Sequence, residues 1–198
     1  MILTPEKGRT NNGMAAYLFT LLVIFGGAFI LFGIFRLTHK IEFHIASSEL
    51  SILLGTFNAI VLLTGSLTFA LSAEAAKNNK KRLAGFLNKI TILTALFFLI
   101  NRGFEFSVKI TEGNFPGVEG FSEKSSGTVI FYNFYYIISA LHIALLLLAI
   151  IFLLAGLKQL KASGNTAAVD SETGNTNLIW QSSVAVWLLF FPLFYLLA

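Results

Sequence analysis

Few residues of this chain have the type and spacing to do chemistry. Arg102, Glu105 and Lys109 stand close together in one stretch. On a helix, Arg102 and Glu105 are i,i+3 neighbours and Glu105 and Lys109 are i,i+4 neighbours, so their side chains can pair. A charge near the centre of a bilayer costs about 2.5–3.5 kcal/mol on insertion scales, so pairing is expected if this segment crosses a membrane. Such a group can be a charge ladder that closes a helix at the interface, which is the simpler reading. It can also be a polar cluster facing a partner subunit, a lipid headgroup or a proton path. His142 lies inside a long apolar run, with Ser139 one turn before it. A buried neutral His needs polar partners, and Ser139 or a main-chain carbonyl would suffice. His39 and His44 are five residues apart, which is not a helical-face spacing. Three scattered His and no Cys make no metal constellation. A haem held by this chain alone would need a second axial ligand, and no other span offers a His. No catalytic, cofactor-binding or metal residue is therefore expected in this chain.

The elements that must position these residues follow from composition. The 198 residues are 56% hydrophobic and 12% charged, with a mean hydropathy of +0.77. Soluble domains carry about 25% charged residues, so a soluble enzyme is excluded, and so is a disordered chain. The formal charge of +4 is scattered, without the basic, aromatic-interleaved face that nucleic acid requires. Apolar runs of the ~20-residue length that crosses a hydrocarbon core occupy about 14–35, 51–71, 128–157 and 178–198. A fifth, about 83–106, has Lys89 near its start and Arg102 and Glu105 near its end. A Lys near one end can snorkel to the headgroups. The first run has no compact basic flank and no small-x-small site before Arg36, so a retained helix is expected rather than a signal peptide. The expected architecture is an all-α integral membrane bundle of five helices forming a single domain, 1–198.

Lys and Arg divide unevenly between the two sides: 9 lie in the N-terminal tail and the second and fourth loops, and 5 in the other loops. The positive-inside rule places the N-terminus in the cytoplasm and the C-terminus outside. The stretch 163–177, rich in Gly, Asn, Thr and Ser, is expected to be a flexible connector. The stretch 109–126, with Glu112, Glu119, Glu123 and several Gly, is expected to be an external acidic loop. In the second span Gly55, Ala59, Ser66 and Ala70 fall on one helical face, which allows close helix approach. Trp180 is expected at a membrane interface, and Trp187 in helix packing.

The order of these motifs resembles the subunit III family of haem–copper respiratory oxidases in its short, five-helix form, and the related accessory protein of nitric oxide reductase gene clusters. The second span carries Leu63-Thr64-Gly65-Ser66-Leu67-Thr68 before Ala75 and a basic stretch, similar to the family's Ser-Ser-x-Thr segment and basic loop. Arg102-Gly103-Phe104-Glu105-Phe106 resembles the Lys/Gln-x-x-Glu-aromatic motif, and Lys109-Ile110, Gly113 and Pro116 continue the match. Tyr135-Tyr136-Ile137-Ile138-Ser139-Ala140-Leu141-His142 resembles the aromatic-aromatic-x-x-Thr-Gly-x-His segment. Trp180, Trp187 and the aromatic tail at 190–195 resemble the closing helix. The chain has Gln181 and Val184 where the family has His and Asp, and Leu145 where it has a second His. The first span contains no carboxylate. The resemblance implies a non-catalytic component of a terminal oxidase in a bacterial cytoplasmic membrane. Such a component packs against catalytic subunit I, organises phospholipids and supports proton uptake, while haem and copper reside in partner subunits. It also implies Arg102, Glu105 and His142 as a polar cluster. An accessory protein of a nitric oxide reductase is the alternative, and a small transporter or channel is the alternative of another class.

Overall fold

In a computed structural model, residues 5–162 and 166–196 are described, with side chains for 13–160 and 174–196. Six α-helices follow in order: α1 (Pro5–Thr38), α2 (Lys40–Ser48), α3 (Ile52–Lys77), α4 (Lys81–Thr111), α5 (Ser126–Ala162) and α6 (Thr166–Tyr195). A 3₁₀ turn, Phe121–Glu123, interrupts the loop before α5, and the described residues contain no strand. All but α2 are long and apolar enough to cross a membrane. Each spanning helix overruns its apolar stretch, because lone polar residues at a helix end do not break backbone hydrogen bonding. At the last helix this corrects an expectation: the stretch foreseen as a connector is helical from Thr166 onward. Residues 163–165 lie outside the described ones.

Helices α3 to α6 form a ring in which α3 packs on α4, α4 on α5, α5 on α6, and α6 back on α3. The α3–α4 pair is a tight hairpin whose turn uses Asn79 at φ 56°, a left-handed conformation that Asn tolerates better than most residues. Ser51 starts α3 by accepting a hydrogen bond from the Leu54 amide at 3.3 Å, which supplies one of the donors a helix start leaves without an intrahelical partner. Helix α1 leans on α5 and reaches α6 through Phe29, whose ring stacks on Phe190 with centroids 4.1 Å apart. Only 11% of its most apolar window is buried within the chain, against 50% for α6.

The short helix α2 was not foreseen in the sequence. Its apolar side places Phe43 and Ala46 in the core, where Phe43 meets Phe32 and Phe131. It also covers the end of α6, where the Ser47 hydroxyl donates to the Phe194 carbonyl at 2.7 Å. The last carbonyls of a helix lack intrahelical donors, so this bond holds the turn that carries Tyr195.

Candidate functional site

Arg102 and Glu105 lie one turn apart on α4 and are 1% and 2% exposed. The guanidinium Nη1 donates to Glu105 Oε2 at 2.5 Å, to the Tyr195 hydroxyl at 2.7 Å and to the Tyr135 hydroxyl at 3.2 Å. Nη2 donates to the Ser139 hydroxyl. Tyr195 in turn donates to Glu105 Oε1 at 2.6 Å, so both carboxylate oxygens are occupied. Three rings surround the guanidinium: Phe106 at 4.8 Å, Tyr135 at 5.0 Å and Trp187 at 5.1 Å. A desolvated cation against aromatic faces gains electrostatic attraction that water would otherwise screen. One charge pair thus draws on α4, α5 and α6 together.

The pairing foreseen at i,i+3 is present, and the foreseen pairing of Glu105 with Lys109 is not. Lys109 donates to Glu112 Oε2 at 2.5 Å and to the Glu49 carbonyl at 2.6 Å. Glu105 is already held by Arg102 and Tyr195, so Lys109 is left to tie α4 to the segment after α2. Beside it the Glu49 carboxylate accepts from Tyr132 at 2.6 Å and from Asn114 at 3.0 Å.

His142 is 2% exposed, one helical turn along α5 from Ser139. Its Nε2 lies 3.0 Å from the Ser183 carbonyl of α6. A carbonyl only accepts, so this nitrogen carries the hydrogen. Of the two partners foreseen, the main-chain carbonyl is the one used; Ser139 is held by Arg102 instead. The imidazole stacks on Trp187 at 5.6 Å and meets the edge of Phe98 at 5.2 Å. Arg102 and His142 share a wall of one small cavity, with Ser139 and Trp187 between them. Its volume is about 10 Å³, the space of about one water molecule. The Trp187 indole N–H is buried without a protein partner.

The small residues of α3 divide. Gly55 faces Phe191 and Tyr195 of α6: a Cβ there would lie 2.5 Å from the Phe191 ring. Ala59 is buried. Ser66 accepts from the Trp180 indole at 3.2 Å and donates to Gln181 at 2.9 Å. Ala70, in contrast, is exposed, which corrects its assignment to the packing face. Gly65 has the role instead, lying so close that a Cβ would sit 2.5 Å from both Thr94 Oγ1 and the Trp180 ring. Helix α3 lies against α4 along its length, through Asn58–Asn101, Thr68–Thr91 and Ser72–Ala84, whereas its described contacts with α6 run from Gly55 to Ser66. Ala70, one turn beyond Ser66 on the α6 side, lies past these contacts. Trp180, expected at a membrane interface, is fully buried among the helices.

Sequence reasoning missed Tyr135, Ser139 and Tyr195 as partners of Arg102. The i,i+4 spacing of Tyr135 and Ser139 was a usable signal that one face of α5 presents two hydroxyls. Chemically the arrangement is a clamp. Arginine does not release its proton under ordinary conditions, and the carboxylate is saturated by donors on both oxygens. Among the described residues no group of His, Asp and Glu could hold a metal ion. Fold and site together define a helical protein with five candidate membrane spans and a buried ionic clamp joining three of them. No protein-family model matches the chain, and no curated protein matches it in sequence.

Proposed function

We propose that the chain is a non-catalytic, subunit III-like component of a haem–copper terminal oxidase complex. One observation carries this reading. The residues of three separate resembling motifs meet in one buried cluster: Arg102 and Glu105 from α4, Tyr135, Ser139 and His142 from α5, and Trp187 and Tyr195 from α6. Chance resemblance gives no reason for motifs so far apart in sequence to converge. The cluster's polar groups bind one another rather than a substrate, which suits a scaffold. Haem and copper then belong to the partner subunits, and this chain supplies a rigid bundle whose apolar outer faces contact lipid and catalytic subunit I. In the proposed topology the α3–α4 turn and the N-terminus face the cytoplasm of a bacterium and the C-terminus faces outward, in keeping with the surplus of Lys and Arg on the former side.

The test is affinity purification of the tagged full chain in mild detergent. A co-purifying catalytic subunit with the absorption spectrum of an oxidase, together with faster loss of turnover in a deletion strain, is the expected result. An oxidase complex that lacks the chain, and whose assembly and turnover decay are unchanged by its deletion, overturns the proposal. Recovery of a nitric oxide reductase instead assigns the same scaffold to that enzyme. Solute flux from the chain alone in liposomes assigns it to transport.

A further inference from the structure

We infer that the cleft between the start of α4 and the end of α5 is a binding site for one anionic phospholipid. The cleft has a volume of about 360 Å³, within the size range of small-ligand sites. Lys81, Arg82, Gly85, Phe86 and Lys89 line it from α4, and Leu157 and Leu160 from α5. Spacings of 3, 4 and 7 residues put Arg82, Gly85 and Lys89 on one helix face. Gly85 sits between the two cations, and a Cβ added to it would meet nothing within 4 Å. The missing side chain therefore opens the cleft where the charges converge.

Among the described residues the charges of Arg82 and Lys89 have no acidic partner. Ion pairs among the described residues join His39 to Glu42, Arg102 to Glu105 and Lys109 to Glu112, and none of them includes Arg82 or Lys89. Among the described residues no carboxylate lines the cleft. Lys89 is two helical turns into α4 from its start at Lys81, about 12 Å along the axis at 1.5 Å per residue. At that depth an ammonium either snorkels out or meets an anion that reaches in. A phosphodiester headgroup lies at this level of a bilayer, and its two oxygens without esters can accept from Arg82 and Lys89 together. Phe86, Leu157 and Leu160 supply apolar surface at the same level, against which the lipid's glycerol and upper acyl carbons can pack. Basic pockets between spanning helices hold anionic headgroups by this chemistry. A free phosphate ion shares the headgroup's charge but has no use for the apolar wall, so the lipid is the occupant argued here. The inference does not depend on the oxidase reading, since the cleft is formed within this chain alone.

The experiment is native mass spectrometry of the full chain titrated with phosphatidylglycerol, with phosphatidylcholine and inorganic phosphate as comparison probes. The expected result is one phosphatidylglycerol retained in preference to phosphatidylcholine and not displaced by phosphate. Arg82→Gln with Lys89→Gln weakens its retention about tenfold or more, and Gly85→Leu, which fills the cleft, does the same. Lys77→Gln with Lys80→Gln removes the same charge from the neighbouring turn and leaves retention unchanged. Helical circular dichroism and elution volume identify folded variants, and the exposed Arg82 and Lys89 pair keeps the test decisive if Gly85→Leu misfolds. Equal retention by the wild type and the Arg82/Lys89 variant overturns the site. An equal loss in the Lys77/Lys80 control also overturns it, since the attraction is then diffuse. Displacement by phosphate overturns the lipid assignment.

Discussion

The Tyr195 hydroxyl lies 2.6 Å from Glu105 Oε1 and 2.7 Å from Arg102 Nη1, so one phenol bridges both members of the buried ion pair. It accepts from the cation and donates to the anion, and so ties the end of α6 to α4 across 90 residues of chain. Tyr195→Phe keeps the ring and removes only this bridge. Hydrogen bonds to charged groups contribute about 1.5–3 kcal/mol in soluble proteins, and interhelical bonds in membranes average less. The expected loss is about 1–3 kcal/mol, measured by unfolding in mixed micelles. An unchanged unfolding midpoint would mean that the phenol contributes no tie.

The ion pair itself predicts strong non-additivity. Arg102→Met leaves the Glu105 charge buried with Tyr195 as its remaining donor. Breaking a buried pair in this way costs about 3–5 kcal/mol, whereas replacing both partners with apolar residues costs far less. The double variant Arg102→Met with Glu105→Met is therefore expected to be more stable than Arg102→Met alone. A double-mutant cycle measures the coupling. Additive losses would show that the two charges are stabilised independently by the surrounding hydroxyls and rings.

Local periodicity explains which of these relationships were legible in the sequence. Arg102 and Glu105 are a helical turn apart, so their pairing follows from spacing, and the five spans follow from runs of apolar residues. The partners Tyr135 and Tyr195 are 33 and 93 residues from Arg102, and no spacing rule reaches that far. Lys109 was misassigned for the same reason: its second partner is the Glu49 carbonyl, 60 residues away and positioned by α2. That helix was hidden because its residues form only nine positions of mixed polarity, too few to give a clear period. Ala70 was misplaced because a helical-face argument assumes one neighbour along the whole helix, and the described contacts of α3 with α6 end at Ser66 while those with α4 continue.

The same geometry separates two glycines of α3. Gly65→Ala puts a methyl 2.5 Å from Trp180, whose ring is fully buried and hydrogen-bonded to Ser66. Neither the ring nor the helix backbone beneath it can yield cheaply. Overpacking of this kind costs about 1–3 kcal/mol. Gly55→Ala meets the side of the Phe191 ring, which is partly exposed and can rotate away, and comes within 3.1 Å of the buried Tyr195 ring. There the cost is partly offset by alanine's better helix propensity, worth about 1 kcal/mol over glycine. Unfolding midpoints should fall clearly for Gly65→Ala and less for Gly55→Ala. The reverse order would place the tight α3–α6 contact at the other end of the helix pair.

Fluorescence separates the buried from the interfacial reading of Trp180. The chain has two Trp, so Trp187→Phe isolates Trp180 and Trp180→Phe isolates Trp187. Trp180 is fully buried and Trp187 is 4% exposed. An indole shielded by packed side chains emits to the blue and resists a water-soluble quencher. An indole at the headgroup level is reached by water and by the quencher. Both single-Trp proteins are therefore expected to emit to the blue, to resist acrylamide to a similar degree, and to become readily quenched on unfolding. The Ser66 bond adds a second readout, because Ser66→Ala removes the indole's acceptor at 3.2 Å and leaves a buried N–H without a partner. An unpaired buried donor costs about 1–3 kcal/mol, so Ser66→Ala should lower the unfolding midpoint and shift the Trp180 emission while leaving that of Trp187 in place. If acrylamide quenches Trp180 much more strongly than Trp187 in the folded protein, Trp180 belongs at the interface and the α3–α6 contact at Gly65 must be looser than its geometry implies.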